Sequence, residues 1–553
     1  MVLLWRSGRW FLWAASSRVR TAYGGGATAC FRAVESPHAA ESGIVLFPRL
    51  RRQRDANALL SGHLYGEWRW RRPIAIPAGV ANEHALVLGQ SGFGKTAFLY
   101  RAVIPEMLRG WSTIVVDHHG DLYQRIVSCL AQQVYAEQRV KLLARVCLLD
   151  PTDRRYGSVG LNVLEVPPGI EPYEVVDELV SDFKAIWRDA WGDRMADILR
   201  NSFRAAIEAG LTLAEVPQLL TDPVFRAQIV LPRVHNADVR LFWEQHFGAF
   251  TNSEQRYFVE SARNKLSAFL SNPYLLPILS QSQSTVDLVS FLQSGGILLV
   301  NLARSRLKAE SRRLFGALLM GKILTAILAR QAIPEEARHP TRIHDDEMHE
   351  SYNPESVVAF YTAGRKFRCG LWGYSQSLSQ YPPDDIDVIL GNTATQVCFN
   401  LAWKDAERLA KEFFQFTGRQ LKYVERDLWG PRGKPTFYTV QEELEHAITE
   451  LTTQQQRECY VRFKGTAVPD LPYIATVPPV TYCEPHAEWD ERLREESAQR
   501  FARPSAVIEA DRVARLASLV RGSELESGIE PAKARTKKLP RTEETWDFGL
   551  SKK

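Results

Sequence analysis

Ala85-Leu-Val-Leu-Gly89-Gln-Ser-Gly-Phe-Gly94-Lys95-Thr96 is the stretch on which the fold turns. Four apolar residues run straight into G-x-x-x-x-G-K-[ST], and helix-compatible sequence follows. A strand that opens into a helix through such a loop is the context a phosphate-binding loop requires. Its glycines let backbone N–H groups converge on phosphate oxygens, and the helix N-terminus adds a favourable dipole. Gly89, Gln90, Ser91, Gly92, Phe93, Gly94, Lys95 and Thr96 are therefore expected to bind a nucleotide. Lys95 is placed to reach the β- and γ-phosphates and the Thr96 hydroxyl to hold Mg²⁺, which makes ATP and Mg²⁺ the expected cofactors.

Working outward, Ile114-Val-Val-Asp117 completes a β-α-β unit. Further strand-like runs are Gly296–Asn301, Thr341–Asp346, Cys369–Tyr374 and Thr395–Asn400, with a long helix over 310–331 and another from near Lys404. Such alternation predicts an α/β fold, a mostly parallel sheet covered by helices on both faces. Between the two halves, Val175–Trp187 and Met195–Ile207 place apolar residues at helical spacing without clear strands, so an inserted all-α domain is expected. The chain divides into a basic leader or extension at 1–72, a first ATPase part at 73–170, the helical insertion at 171–290, a second ATPase part at 291–484 and a charged tail at 485–553, expected to be disordered.

A loop of this kind needs a carboxylate at a neighbouring strand end to orient the metal, and a second to polarise the attacking water. His344-Asp345-Asp346-Glu347 supplies the pair, with Asp346 on the metal side and Glu347 as base. Arg342 and His344 interrupt a strand that should be apolar, so a solvated acidic turn is the alternative. Two metal readings compete with this one. His344 and His349 stand five apart, which is not H-E-x-x-H spacing. Asp117-His118-His119 suits two-metal phosphoesterases, but the upstream Asp-x-Asp they need is missing, since Asp55 is the only Asp before Asp117.

The 553 residues carry a net charge of only +5, which by itself argues against nucleic-acid binding except through local patches. The first 72 residues hold twelve Arg, no Lys and four acids, a net +8 that leaves −3 for the rest. This leader suits a presequence, an interfacial helix or a disordered basic segment. Seven scattered cysteines with no C-x-x-C predict neither a disulfide framework nor a zinc site, and so a reduced cytoplasm. No apolar run is read as approaching the roughly 18 residues of a membrane helix.

Taken in order, these motifs resemble the HerA/FtsK superfamily, and within it TraG/TraD-type conjugative coupling proteins. The matching stretches are Asn82–Gly89 into the loop, Val116-Asp-His-His-Gly-Asp-Leu122 and Trp191–Arg200 in the insertion. Ala363-Gly-Arg-Lys-Phe-Arg368, Tyr374-Ser-Gln376, Gly391-Asn-Thr-Ala-Thr and Asp405-Ala complete the set, across about 70–480. The resemblance implies a RecA-like motor that assembles as a homo-hexameric ring around DNA and moves it with ATP. It implies that Gln376 is the polar sensor of the γ-phosphate. It also implies an arginine finger offered to a neighbouring subunit, for which Arg365 is the choice and Arg368 the alternate. Implied partners are DNA and a relaxase, type IV secretion components or a nuclease. Such coupling proteins usually begin with membrane helices, and none is read here, so the expected location is cytoplasmic or peripheral at the inner membrane.

A ring motor grips phosphates through loops in its pore, so a few cations per subunit suffice. Arg304, Arg306 and Lys308, after the strand at Ile297–Asn301, are the candidates for DNA contact, with a plain basic loop as the alternative. Trp68 and Trp70 among the arginines of 49–72 suit nucleic-acid binding by stacking and charge, with a packed sheet-edge extension carrying surface Arg as the equal alternative. Two further functions stay open: a P-loop ATPase that energises protein secretion, and a nucleotide-dependent docking module.

Overall fold

The computed structural model describes residues 2–6, 9–13, 45–48, 74–75, 83–247, 250, 252–303, 307–425, 434–464 and 473–527. Eleven strands among them form one sheet. In chain order these are β1 Val45–Pro48, β2 Ile74–Ala75, β3 Ala85–Leu88, β4 Ser112–Asp117, β5 Val146–Leu149 and β6 Ile297–Asn301. β7 Thr341–Asp346, β8 Cys369–Ser375, β9 Thr395–Cys398, β10 Glu458–Phe463 and β11 Tyr473–Thr476 follow. Their order across the sheet is β2-β1-β11-β10-β9-β3-β8-β7-β4-β6-β5. From β9 to β5 every pairing is parallel, and from β10 to β2 every pairing is antiparallel.

Of the parallel strands, β3, β5 and β6 read as nearly unbroken apolar runs because both faces are covered. Side chains alternate between faces, so Ala85 and Val87 of β3 join one core while Leu86 and Leu88 join the other. The first core takes in α1 (Lys95–Arg109) and α2 (Asp121–Tyr135). The second lies under the helices between β5 and β6, which begin with α3 (Pro172–Ile186) and end at Leu288–Gln293.

β7 is buried at all six positions although it reads Thr-Arg-Ile-His-Asp-Asp. Its polar residues face partners rather than water. Arg342 ion-pairs with Glu106 of α1 and lies between Trp111 and Trp372, 4.6 and 4.5 Å from their ring centres. His344 reaches Glu106 at 2.8 Å and the Tyr374 hydroxyl at 3.0 Å. Burial would raise the Glu106 carboxyl, but Arg342 and His344 outweigh it and hold the group below the usual carboxylate range. On the other face, Asp345 meets His118 at 3.1 Å and accepts from the Ser351 hydroxyl. The acidic turn is therefore not solvated. Removing one partner of a buried ion pair strands the other charge, at a cost of about 3–5 kcal/mol. Glu106→Ala should accordingly lower the thermal midpoint sharply, and Glu106→Met with Arg342→Met should recover most of the loss.

Three expectations are corrected. Residues 485–553 are expected as a disordered tail, yet α4 (Ala487–Phe501) lies on α2 and β5, a further helix spans Ser505–Ser527, and 528–553 lie outside the described residues. Asp490 accepts from Ser128 at 2.6 Å, and Ser497 accepts from the Leu148 N–H and donates to the Val146 carbonyl, which blunts the outer edge of β5. Second, Val2–Arg6 and Arg9–Trp13 pair as an antiparallel hairpin, not an interfacial helix. Third, Ala309–Ala332 is long and apolar enough to cross a membrane by length and composition, and 89% of its apolar 18-residue window is buried inside the fold. Its helix, Ala309–Leu328, packs on α3, which accounts for its apolarity without a lipid. Trp68 and Trp70 lie outside the described residues.

Candidate active site

The carboxyl ends of β9, β3, β8, β7 and β4 meet along one edge of the sheet, where ligands bind in such folds. β3 ends at Gly89, whose φ is +155°; a Cβ there would stand 2.5 Å from Phe399 Cβ, so only glycine lets the loop leave the strand here. The loop runs to Gly94 and opens α1, with Lys95 and Thr96 in its first turn. Lys95 is buried and donates through Nζ to the Gly89 carbonyl at 2.6 Å. Burial lowers its pKa, and Glu347 and Asp346 oppose that. The Gly89 and Gln90 N–H groups are taken by the Ser375 and Asn400 carbonyls at 3.2 and 2.9 Å, so β8 and β9 fix the loop from both sides.

Asp346 ends β7 in direct register with Asp117 at the end of β4. Both Asp117 oxygens are engaged, by the N–H groups of His119 at 2.8 Å and Tyr123 at 2.7 Å, so this residue caps the entry to α2. Asp346 is the carboxylate left to face the loop. Burial first, then Asp117 and Glu347, push its pKa from 3.8 to about 7, while His119 and Lys95 pull the other way. A surplus of negative charge beside a buried lysine and a threonine in a helix's first turn is the environment a divalent cation would neutralise. The raised value also has a sign for stability. The carboxyl is neutral in both folded and unfolded protein below pH about 4, and its contribution is lost as pH rises through about 7, on the order of 4 kcal/mol in all. In metal-free protein, Asp346→Asn should therefore gain melting temperature over wild type as pH is raised from 5 to 8. Parallel curves would contradict this.

Glu347 follows in the left-handed region, at φ +72°, and its N–H is held by the Tyr374 carbonyl at 3.0 Å. Such a conformation is costly for a non-glycine residue and aims the side chain away from the strand, toward the loop side. Oε1 accepts from Gln376 Nε2 at 2.8 Å and lies 3.7 Å from His119 Nε2; Oε2 lies 3.4 Å from His349 Nδ1. Burial would raise its pKa, but His119, Gln376, Lys95 and His349 outweigh that and keep it below the usual range. It is a buried carboxylate held ionised.

The structure brings Lys95, Thr96, Asp346, Glu347 and Gln376 together. Arg365 and Arg368 lie elsewhere, in the turn that leads into β8 at the opposite edge of the sheet. Arg365 is 72% exposed and 3.4 Å from Glu83, and Arg368 donates to the Glu336 carbonyl. Neither reaches this chain's own loop. Lys308 is exposed at the start of Ala309–Leu328, and Arg304 and Arg306 lie outside the described residues. Sequence reasoning missed His119 and His349 against Glu347. It also missed the turn at Gln456-Arg457 beside the loop, for which no motif spacing gives a signal.

No family model matches the chain, and no curated protein matches it in sequence. Among solved structures it is similar to the bacterial conjugative coupling protein TrwBdeltaN70 in its unbound monoclinic form. That likeness has a TM-score of 0.52 and 18% identity, over 74% of this chain and 88% of that one. The plasmid coupling protein TrwB in complex with the non-hydrolysable GTP analogue GDPNP gives 0.53, with the same identity and coverage. VirB4 of Thermoanaerobacter pseudethanolicus gives 0.46 at 13% identity, over 79% and 97%. With a mostly parallel sheet, a phosphate-binding loop after a central strand and helices inserted before β6, the chain has the RecA-like P-loop ATPase fold found in conjugative coupling proteins.

Proposed function

We propose that this chain is an ATP-driven DNA motor of the HerA/FtsK superfamily, a coupling-type ATPase of conjugation or type IV secretion that works as a homo-hexameric ring. The observation that carries the reading is the 2.8 Å contact from Gln376 to Glu347, at the ends of adjacent strands beside the loop. A motor must couple the state of its terminal phosphate to movement. A side-chain amide bonded to the hydrolytic base is a means of doing so, because the pair must rearrange when the base engages water. The fold shared with TrwB, a plasmid coupling protein in complex with a non-hydrolysable GTP analogue, supports the same reading.

In this proposal the loop and Lys95 hold the phosphates, and Thr96 and Asp346 hold Mg²⁺, which would supply charge neutralisation at the transferring phosphoryl group. Glu347 takes the proton of the attacking water. Arg365, exposed and remote from its own loop, is offered to the neighbouring subunit, where a guanidinium stabilises developing charge. Lys308, with Arg304 and Arg306, contacts DNA phosphates in the pore. The test is ATP hydrolysis with and without DNA, at low salt and over several DNA lengths. Turnover should rise with DNA, and imaged particles should show six-fold rings. Equal turnover in both arms removes the DNA motor and leaves the protein-secretion energiser, which the small net charge favours.

A further inference from the structure

We infer that Arg457 is a nucleotide-binding residue whose guanidinium holds the α-phosphate, with the turn at 454–457 forming the nucleoside-side wall of the phosphate-binding loop. The inference rests on the nucleotide-binding part of the proposed function.

The sheet order gives the direction. Gln376, Glu347 and Asp346 all lie on the β8 and β7 side of β3, so the terminal phosphate of a bound nucleotide points that way. The nucleoside end must then point toward β9 and β10. Because β10 is antiparallel to β9, its start arrives at the same edge as the loop, and the turn that precedes it is pressed against the loop. The Arg457 N–H donates to the Phe93 carbonyl at 2.8 Å, and Gln456 Nε2 donates to the Gly92 carbonyl at 3.0 Å. A Cβ on Gly94 would stand 3.2 Å from Arg457 Cα and 3.3 Å from Arg457 Cγ. Asn400 fixes the turn, donating to the carbonyls of Thr452 at 2.7 Å and Gln454 at 3.2 Å, while its own carbonyl accepts from Gln90.

Arg457 itself is out of keeping with a structural role. It holds φ +69°, where a non-glycine residue is strained, and such strain gathers at ligand sites. The residue is half-buried, and its side chain has no hydrogen-bond or ion-pair partner among the described residues. The buried arginines among the described residues do have them: Arg312 pairs with Glu350, Arg342 with Glu106, and Arg330 meets Thr341. A planar cation without an anionic partner among the described residues, on a residue whose Cα and Cγ lie against Gly94 at the N-terminus of α1, matches a phosphate that the β- and γ-binding Lys95 does not serve.

The experiment is equilibrium binding of ADP and of a non-hydrolysable ATP analogue to the full chain, with steady-state hydrolysis alongside. Arg457→Gly suits the left-handed backbone, so it should melt at or above the wild-type temperature and loss of binding cannot be blamed on misfolding. Affinity for both nucleotides should fall by the same factor, about tenfold or more, with KM raised to match and kcat little changed. Arg457→Lys should restore part of it. Unchanged affinity, or a loss confined to kcat, overturns the inference. If wild type itself binds neither nucleotide, the proposed function fails with it, so the two failures are distinguishable.

Discussion

Lys95→Ala should leave a folded chain with ATP turnover reduced by at least about 10²–10³-fold, the usual cost of removing a preorganised charge from a phosphoryl-transfer site. The side chain is buried and tied to the Gly89 carbonyl at 2.6 Å, so it is positioned before any substrate arrives and needs little reorganisation to reach a phosphate. Burial lowers its pKa, and Glu347 and Asp346 oppose that and favour the charged form. Phosphate release under saturating ATP, with the melting temperature as control, is the measurement. Turnover within tenfold of wild type would remove this loop from the chemistry.

Glu347→Gln should lower kcat by roughly 10²–10⁴ while nucleotide affinity stays near wild type. The carboxylate proposed as base is held ionised by His119, Gln376, Lys95 and His349 despite its burial, and an amide cannot accept the proton of water. A glutamine keeps the shape and can still bond Gln376, so the Glu347→Gln chain should accumulate with ATP bound rather than lose it. Separate determination of kcat and of dissociation constants decides the matter. A fall in affinity equal to the fall in kcat would show that Glu347 holds the metal instead of the water. Robust wild-type turnover that collapses in this variant would also set aside the docking-module alternative, in which hydrolysis plays no part.

The loop, the strands around it and the Asp346-Glu347 pair could be read in the sequence because each is local: a run of apolar residues ending in a glycine-rich turn, or acids at a strand end. The polarity of β7 could not be interpreted there. Arg342, His344 and Asp345 find their partners at Glu106, Tyr374 and His118, residues that only the sheet and α1 bring near. The same holds for α4, whose buried residues are Asp490, Leu493 and Ser497. With one apolar residue among those three, it leaves little hydrophobic period, and the polar pair bonds to α2 and β5, which are distant in sequence. A helix that passes the membrane test is, for the same reason, legible only once its neighbours are known.

The sequence by itself determined that a parallel sheet would carry a phosphate-binding loop and two acids at strand ends, because backbone periodicity and glycine geometry act over a few residues. Tertiary structure decided which acid is free to face the loop, by engaging both oxygens of Asp117 and leaving those of Asp346. It also decided what surrounds the loop, since Gln376 and Arg457 arrive on strands separated from Lys95 by hundreds of residues. Chain contiguity fixes local conformation, whereas the charge environment of a buried group is set by whatever the fold packs against it.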